Sequence, residues 1–143
     1  MKKYLVLFLI LIINDVFSQK NIGVPISSIK KKYQESKYQL KQSKEEDGTI
    51  TIDVKLTNGY ASYTFDDKSK LSTMLVITPF DQKSLKKYIT EYDLKYKRLN
   101  SDTVKWEVQT KFSEEVSIVE HIVLSKMSAE NGENWYTLIW LFE

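Results

Sequence analysis

Between Thr49 and Thr57 polar and apolar residues alternate without a break, with Ile50, Ile52, Val54 and Leu56 on one side and Thr49, Thr51, Asp53, Lys55 and Thr57 on the other. A strict period of two is that of a strand with one side buried. Asn58-Gly59 follows, a dipeptide suited to a two-residue type I′ turn because both residues tolerate the positive φ that such a turn demands. That turn would set Thr57 opposite Tyr60 and pair Leu56 with Ala61, Val54 with Tyr63 and Ile52 with Phe65. Every apolar residue would then meet an apolar one. The link from Asp66 to Lys70 returns the chain into Leu71 to Thr78, so an antiparallel meander of three strands is expected.

Upstream, Gln19 to Val24 reads as a loosely held lead to Pro25. A short helix is expected from Ser27 or Ser28 to about Ser36, capped by a serine, with Ile29 and Tyr33 four apart on one side. Tyr38 to Ser43 alternates weakly and fits an edge strand whose Lys37, Lys41 and Lys44 discourage pairing with other molecules. Downstream, Pro79 closes the meander and Asp81 is placed to cap a second helix, with Phe80 and Leu85 as a hydrophobic staple. Leu85, Tyr88, Ile89, Tyr92, Tyr96 and Leu99 recur at helical spacing, and Asn100-Ser101-Asp102 ends the run. Strand character then resumes. Val104, Trp106 and Val108 alternate with polar residues, and Phe112 to Glu115 forms a connection. Val116 to Leu124 carries apolar residues on both sides. Asn131-Gly132 reads as a second hairpin turn, with a longer loop from Met127 to Glu133 as the alternative, and Trp135 to Phe142 is the last strand.

This order predicts an α+β fold: one antiparallel sheet of about six to seven strands with two helices packed on one face. Residues 27–80 and 81–143 read as two versions of one helix-plus-strands unit, a tandem pseudo-repeat in layout. The layout resembles that of β-lactamase-inhibitor-like and other small secreted bacterial domains. No motif carries the resemblance, so it speaks to fold and not to function.

Residues 1–18 stand apart. Lys2 and Lys3 precede an apolar run from Tyr4 to Ile13, and Val16-Phe17-Ser18 offers a small residue for cleavage, the pattern of a secretory signal peptide. The run stops at Asn14-Asp15, at about half of the roughly 20 apolar residues that span a bilayer. The expectation is therefore an exported chain, periplasmic or extracellular, soluble after cleavage, with residues 19–143 as a single α+β domain. The chain has no cysteine, which excludes disulfides and a thioether-linked lipid. Beyond residue 18 it carries 19 basic and 18 acidic side chains. Only Arg98 among the cations is an arginine, and the near-neutral balance gives no electrostatic argument for nucleic acid or for an anionic membrane. The run Lys30-Lys31-Lys32 reads as a solvated helix face.

The supply of catalytic chemistry is thin. The single histidine, His121, lies mid-strand beside Glu120, without the His-x-His or His-Glu-x-x-His spacing of a metal site. No Gly-x-Ser-x-Gly elbow is present. Of the four glycines, Gly48, Gly59 and Gly132 each follow Asp or Asn where a turn would use them, which leaves Gly23 alone, too little for a phosphate cradle. Asp66-Asp67 with Ser69 lacks the ligand pattern of a calcium loop. Glu45-Glu46 and Glu114-Glu115 fall in polar links. No metal or cofactor is expected.

Aromatic residues on strands are the remaining signal. Two helices can cover one face of a sheet, so some of Trp106, Trp135, Trp140, Tyr60, Tyr136 and His121 should lie on the other. These six are the candidate binding residues, suited to a protein, a glycan or an apolar ligand. The expected function is a non-enzymatic exported binding or interaction module. The alternatives are a cell-envelope assembly or structural factor and a small hydrolase that uses Glu120, His121 and a carboxylate from another strand.

Overall fold

The computed structural model describes residues 21–111, 114 and 117–142. The expected signal peptide and most of the Phe112 to Glu115 connection lie outside the described residues. In chain order the elements are α1 (Ile26–Lys32), a 3-10 turn (Ser36–Tyr38), β1 (Lys41–Lys44), β2 (Ile50–Lys55), β3 (Gly59–Phe65), β4 (Ser72–Pro79), α2 (Gln82–Lys95), β5 (Lys97–Arg98), β6 (Lys105–Lys111), β7 (Ser117–Ser128) and β8 (Asn134–Leu141).

All eight strands form one antiparallel sheet in the order β1-β2-β3-β4-β8-β7-β6-β5. The fold is α+β, as the pattern predicts, with more strands than the six or seven expected. The addition is β5, taken above for the end of the second helix. Helix α2 stops at Lys95, and Tyr96 is already extended. A strand of two residues is too short for its period to show in the sequence.

One cross-strand row spans the sheet from edge to edge: Gln42, Ile52, Tyr63, Leu75, Trp140, Ile122, Trp106 and Arg98. Directly opposed residues point to the same side, so these eight share a face. The ring of Tyr33, which follows α1, lies 6.1 Å from that of Tyr63, and Tyr92 of α2 packs edge-on to Trp106 and Trp140 at 5.6 and 5.9 Å. Both helices therefore cover the same face. Ile52, Trp106 and Ile122 are fully buried beneath them.

Three local expectations are corrected. The β2-β3 register pairs Ile50 with Phe65, Ile52 with Tyr63 and Val54 with Ala61, two positions from the pairing that a type I′ turn would impose. A shift of two leaves every side chain on its original face, so hydrophobic alternation cannot detect it. The turn residues are Thr57-Asn58 instead of Asn58-Gly59, enclosed by a pair in which Leu56 N–H donates to the Gly59 carbonyl at 2.8 Å, and neither Asn58 nor Gly59 has positive φ. Secondly, α1 begins at Ile26 with Pro25 at its cap position, where no side chain bonds the helix end. Thirdly, the lead before Pro25 is not loose. Gly23 N–H donates to the Ser72 carbonyl at 2.6 Å and Ser72 N–H to the Val24 carbonyl at 2.9 Å, while the Ser72 hydroxyl receives Val24 N–H and donates to the Asn21 carbonyl. Ile22 is fully buried as a result.

The helix–sheet layer is rich in phenols, which has a consequence for pH. Burial raises the pKa of Tyr63, Tyr92 and Tyr96 above the ordinary phenol value, and pushes that of Tyr88 up to about 12. For Tyr63 the Tyr33 hydroxyl at 3.1 Å adds to the shift. A raised folded pKa means that the unfolded chain ionises first. The stabilisation is complete below the unfolded phenol pKa of about 10 and is lost as pH rises from there toward the folded values. We expect the urea midpoint to hold up to about pH 10 and to fall steeply above it. A midpoint unchanged at higher pH would show that these phenols are not protected.

Candidate functional site: the uncovered face of the sheet

Residues one position away from the buried row point to the opposite side, where neither helix packs. At its centre Val76 lies opposite Ile139 and Ile139 opposite Val123, all half-buried. Around them Tyr60, Met74, Phe80, Val119, Met127 and Trp135 are between 36% and 53% exposed. Single exposed apolar side chains are ordinary, but six on one side of one sheet form a patch. Lys41 and Asp53 border it at one edge and Lys97 and Glu107 at the other.

The aromatic part is concentrated at one corner. Gly59 begins β3 so close to β4 that Tyr60 comes opposite Thr78. The Tyr60 ring meets Phe80 edge-on, with centroids 5.1 Å apart and planes at 85°. Trp135 enters from β8 and faces Met127 across the β7-β8 pair. Beside them runs a cleft of about 300 Å³ lined by Phe80, Asp81, Gln82, Leu85, Asn134 and Trp135. Asp81 caps α2 by accepting the Ser84 N–H at 2.7 Å, and that bond holds its carboxyl below the usual carboxylate range.

The six residues singled out from the sequence divide between the faces. Tyr60 and Trp135 are displayed on the uncovered side. Trp106 and Trp140 are 0% and 2% exposed beneath α2, and Tyr136 points to that same covered side. His121 points to the uncovered side but is buried, opposite Leu141 on one neighbour and Glu107 on the other. Glu120 is fully buried on the helix side. Consecutive strand residues leave opposite faces, so Glu120 and His121 cannot act on one substrate atom.

Comparison with protein-family models, with curated proteins and with solved structures found no match. Chemistry must therefore be read from this chain alone. Among the described residues no group of three or more His, Cys, Asp or Glu is placed to hold a metal ion. The Asp66 carboxylate accepts the backbone N–H groups of Lys68 and Ser69, and Asp67 pairs with Lys44 and Lys70. Asp66 serves its own turn, and Asp67 ties that turn to the end of β1. No helix among the described residues is long and apolar enough to cross a membrane.

Sequence reasoning misses Met74, Phe80 and Met127 as members of the face, whereas alternation along β7 already sets Val119 opposite to Ile122 and Leu124. The alternative of one loop from Met127 to Glu133 is not what forms: β7 continues to Ser128, and only Ala129 to Glu133 form the link around Asn131-Gly132. The parity of Val119, His121 and Val123, carried four residues further, would have placed Met127.

Proposed function

We propose that this chain is an exported, non-enzymatic binding module that receives a protein partner on the uncovered face of its sheet. The observation that carries this reading is the shared orientation of Tyr60, Met74, Phe80, Val119, Met127 and Trp135 away from the helices. Aromatic and methionine side chains are enriched at protein interfaces and at binding hot spots. A rim of both charge signs around an apolar centre is the usual layout of such a contact. The strand order supports a two-unit architecture, since each helix precedes four strands and the last strands of the two units, β4 and β8, pair at the middle. The patch straddles that seam. Export is inferred from residues 1–18 alone. The hydrolase alternative draws no support from Glu120, which lies on the far side of the sheet from His121.

A photo-crosslinking side chain at position 135, compared with one at position 94 on the outer surface of α2, tests this in the producing cell. Defined protein adducts are expected from position 135. Changing Tyr60 and Phe80 together to serine should abolish them. Adducts that are identical at both positions, or that survive the double change, would refute the proposal.

A further inference from the structure

The opposite side of the molecule has a different chemistry. The helical segments, residues 26–38 and 81–96, hold eight lysines and four acidic residues, a net of +4. The other described residues hold ten basic and twelve acidic side chains, a net of −2. Charge that nearly cancels along the chain is thus separated by the fold. The acids of the helix layer are also engaged: Glu35 with Lys37 at 2.7 Å, Glu91 with Lys95 at 2.5 Å, Asp93 with Arg98 at 3.2 Å, and Asp81 with the α2 N-terminus. Among the described residues Lys30, Lys31, Lys83 and Lys86 form no salt bridge, although Lys83 lies within electrostatic reach of Asp81, and all four are exposed.

An apolar side chain stands among these cations. Leu94 is 83% exposed, the most exposed of the large hydrophobic residues described. Lys83, Lys87, Thr90 and Leu94 follow at spacings of 4, 3 and 4, one stripe along α2 opposite the buried Leu85 and Tyr92. Lys86 and Glu91 flank that stripe on the same open helix surface. Lysine stems that flank an apolar residue on a helix surface can lay their methylenes on lipid while the ammonium groups stay at the headgroups. A merely solvated helix face needs neither the exposed leucine nor the separation of charge.

We propose that the helix layer docks on an anionic lipid bilayer, with Lys30, Lys31, Lys83 and Lys86 at the headgroups and Leu94 entering the interface. Each lysine held near an anionic surface is worth about fivefold in affinity, so four give a weak, reversible and salt-sensitive attachment. The sheet's uncovered side would then face away from the bilayer. The inference does not depend on what that side binds.

The test titrates the protein, as recovered from the producing cell, with vesicles of phosphatidylcholine mixed with phosphatidylglycerol and with vesicles of phosphatidylcholine alone, followed by co-sedimentation. Binding is expected with the mixed vesicles, and raised salt should weaken it. The pair Lys83→Glu and Lys86→Glu should lower the partition coefficient at least tenfold. Leu94→Asn should lower it severalfold with charge unchanged. The pair Lys41→Glu and Lys111→Glu makes the same charge change on the other side of the sheet and should have little effect. All the positions are exposed, and circular dichroism confirms that each variant is folded. Failure to bind mixed vesicles, equal binding to phosphatidylcholine alone, or an equal loss in the Lys41/Lys111 pair would each overturn the proposal.

Discussion

Replacing Trp140 with alanine is expected to lower the unfolding free energy by about 3–5 kcal/mol, and Trp106→Ala by a similar amount, whereas Trp135→Ala should cost under about 1 kcal/mol. The three residues are chemically identical and all lie on strands. What separates them is what covers them. Trp140 is 2% exposed, with Tyr92 and Tyr96 edge-on at 5.9 and 5.7 Å. Trp106 is fully buried, with Tyr92 against its ring, Arg98 5.7 Å from its centroid and its indole N–H donating to Asp93 at 2.8 Å. Truncation at either site leaves a cavity beneath α2 that the stiff sheet cannot close, and at position 106 it also strips Asp93 of a donor. Trp135 is 46% exposed and leaves no enclosed void. Since small domains are stable by only about 5–15 kcal/mol, the first two changes consume a large share of the total. Urea denaturation of the three variants checks this. Equal losses at positions 135 and 140 would mean that the faces have been assigned the wrong way round.

Gly59→Ala should destabilise the protein by about 2–3 kcal/mol through crowding. A Cβ at this position would lie 2.5 Å from the Thr78 carbonyl oxygen and 3.0 Å from Pro79 Cα. Both are backbone atoms, so the β3 and β4 strands would have to separate where Tyr60 and Phe80 build the aromatic corner. Gly132→Ala is the control. There a Cβ meets nothing within 4 Å, and the cost comes from a φ of +82° alone, about 1–2 kcal/mol. Crowding at position 59 should also disturb the Tyr60–Phe80 contact, visible as changed chemical shifts for those two rings and for few others. A Gly59→Ala variant as stable as the parent would show that β3 and β4 do not approach so closely.

The two glycines also illustrate how far sequence reasoning reaches. Each follows an asparagine, which by itself points to a turn. At Gly132 the assignment holds, because the requirement is local: the residue has positive φ and its N–H bonds the Ala129 carbonyl within the same link. At Gly59 the requirement comes from β4, twenty residues along the chain, and no local pattern records it. The β2-β3 register shows the same limit. Alternation determines that Ile50, Ile52 and Val54 share a side but cannot distinguish pairings that differ by two. The turn that chooses between them depends on how β3 packs against its other neighbour.

What this sequence determines by itself is the type of most elements and the side on which each strand residue falls. Periods of two and of three to four are short-range properties written into successive side chains, so Asp81 as cap, Leu85 and Tyr92 as buried helix positions and the alternation of Trp106 with its neighbours were all legible. Only the tertiary structure decides which side is covered. The helices lie over the face that carries Trp106 and Trp140 and leave the one that carries Tyr60 and Trp135 in water, because covering depends on where distant segments pack. A two-residue strand such as β5, and a lead zipped to Ser72 about fifty residues away, likewise owe their form to partners remote in sequence.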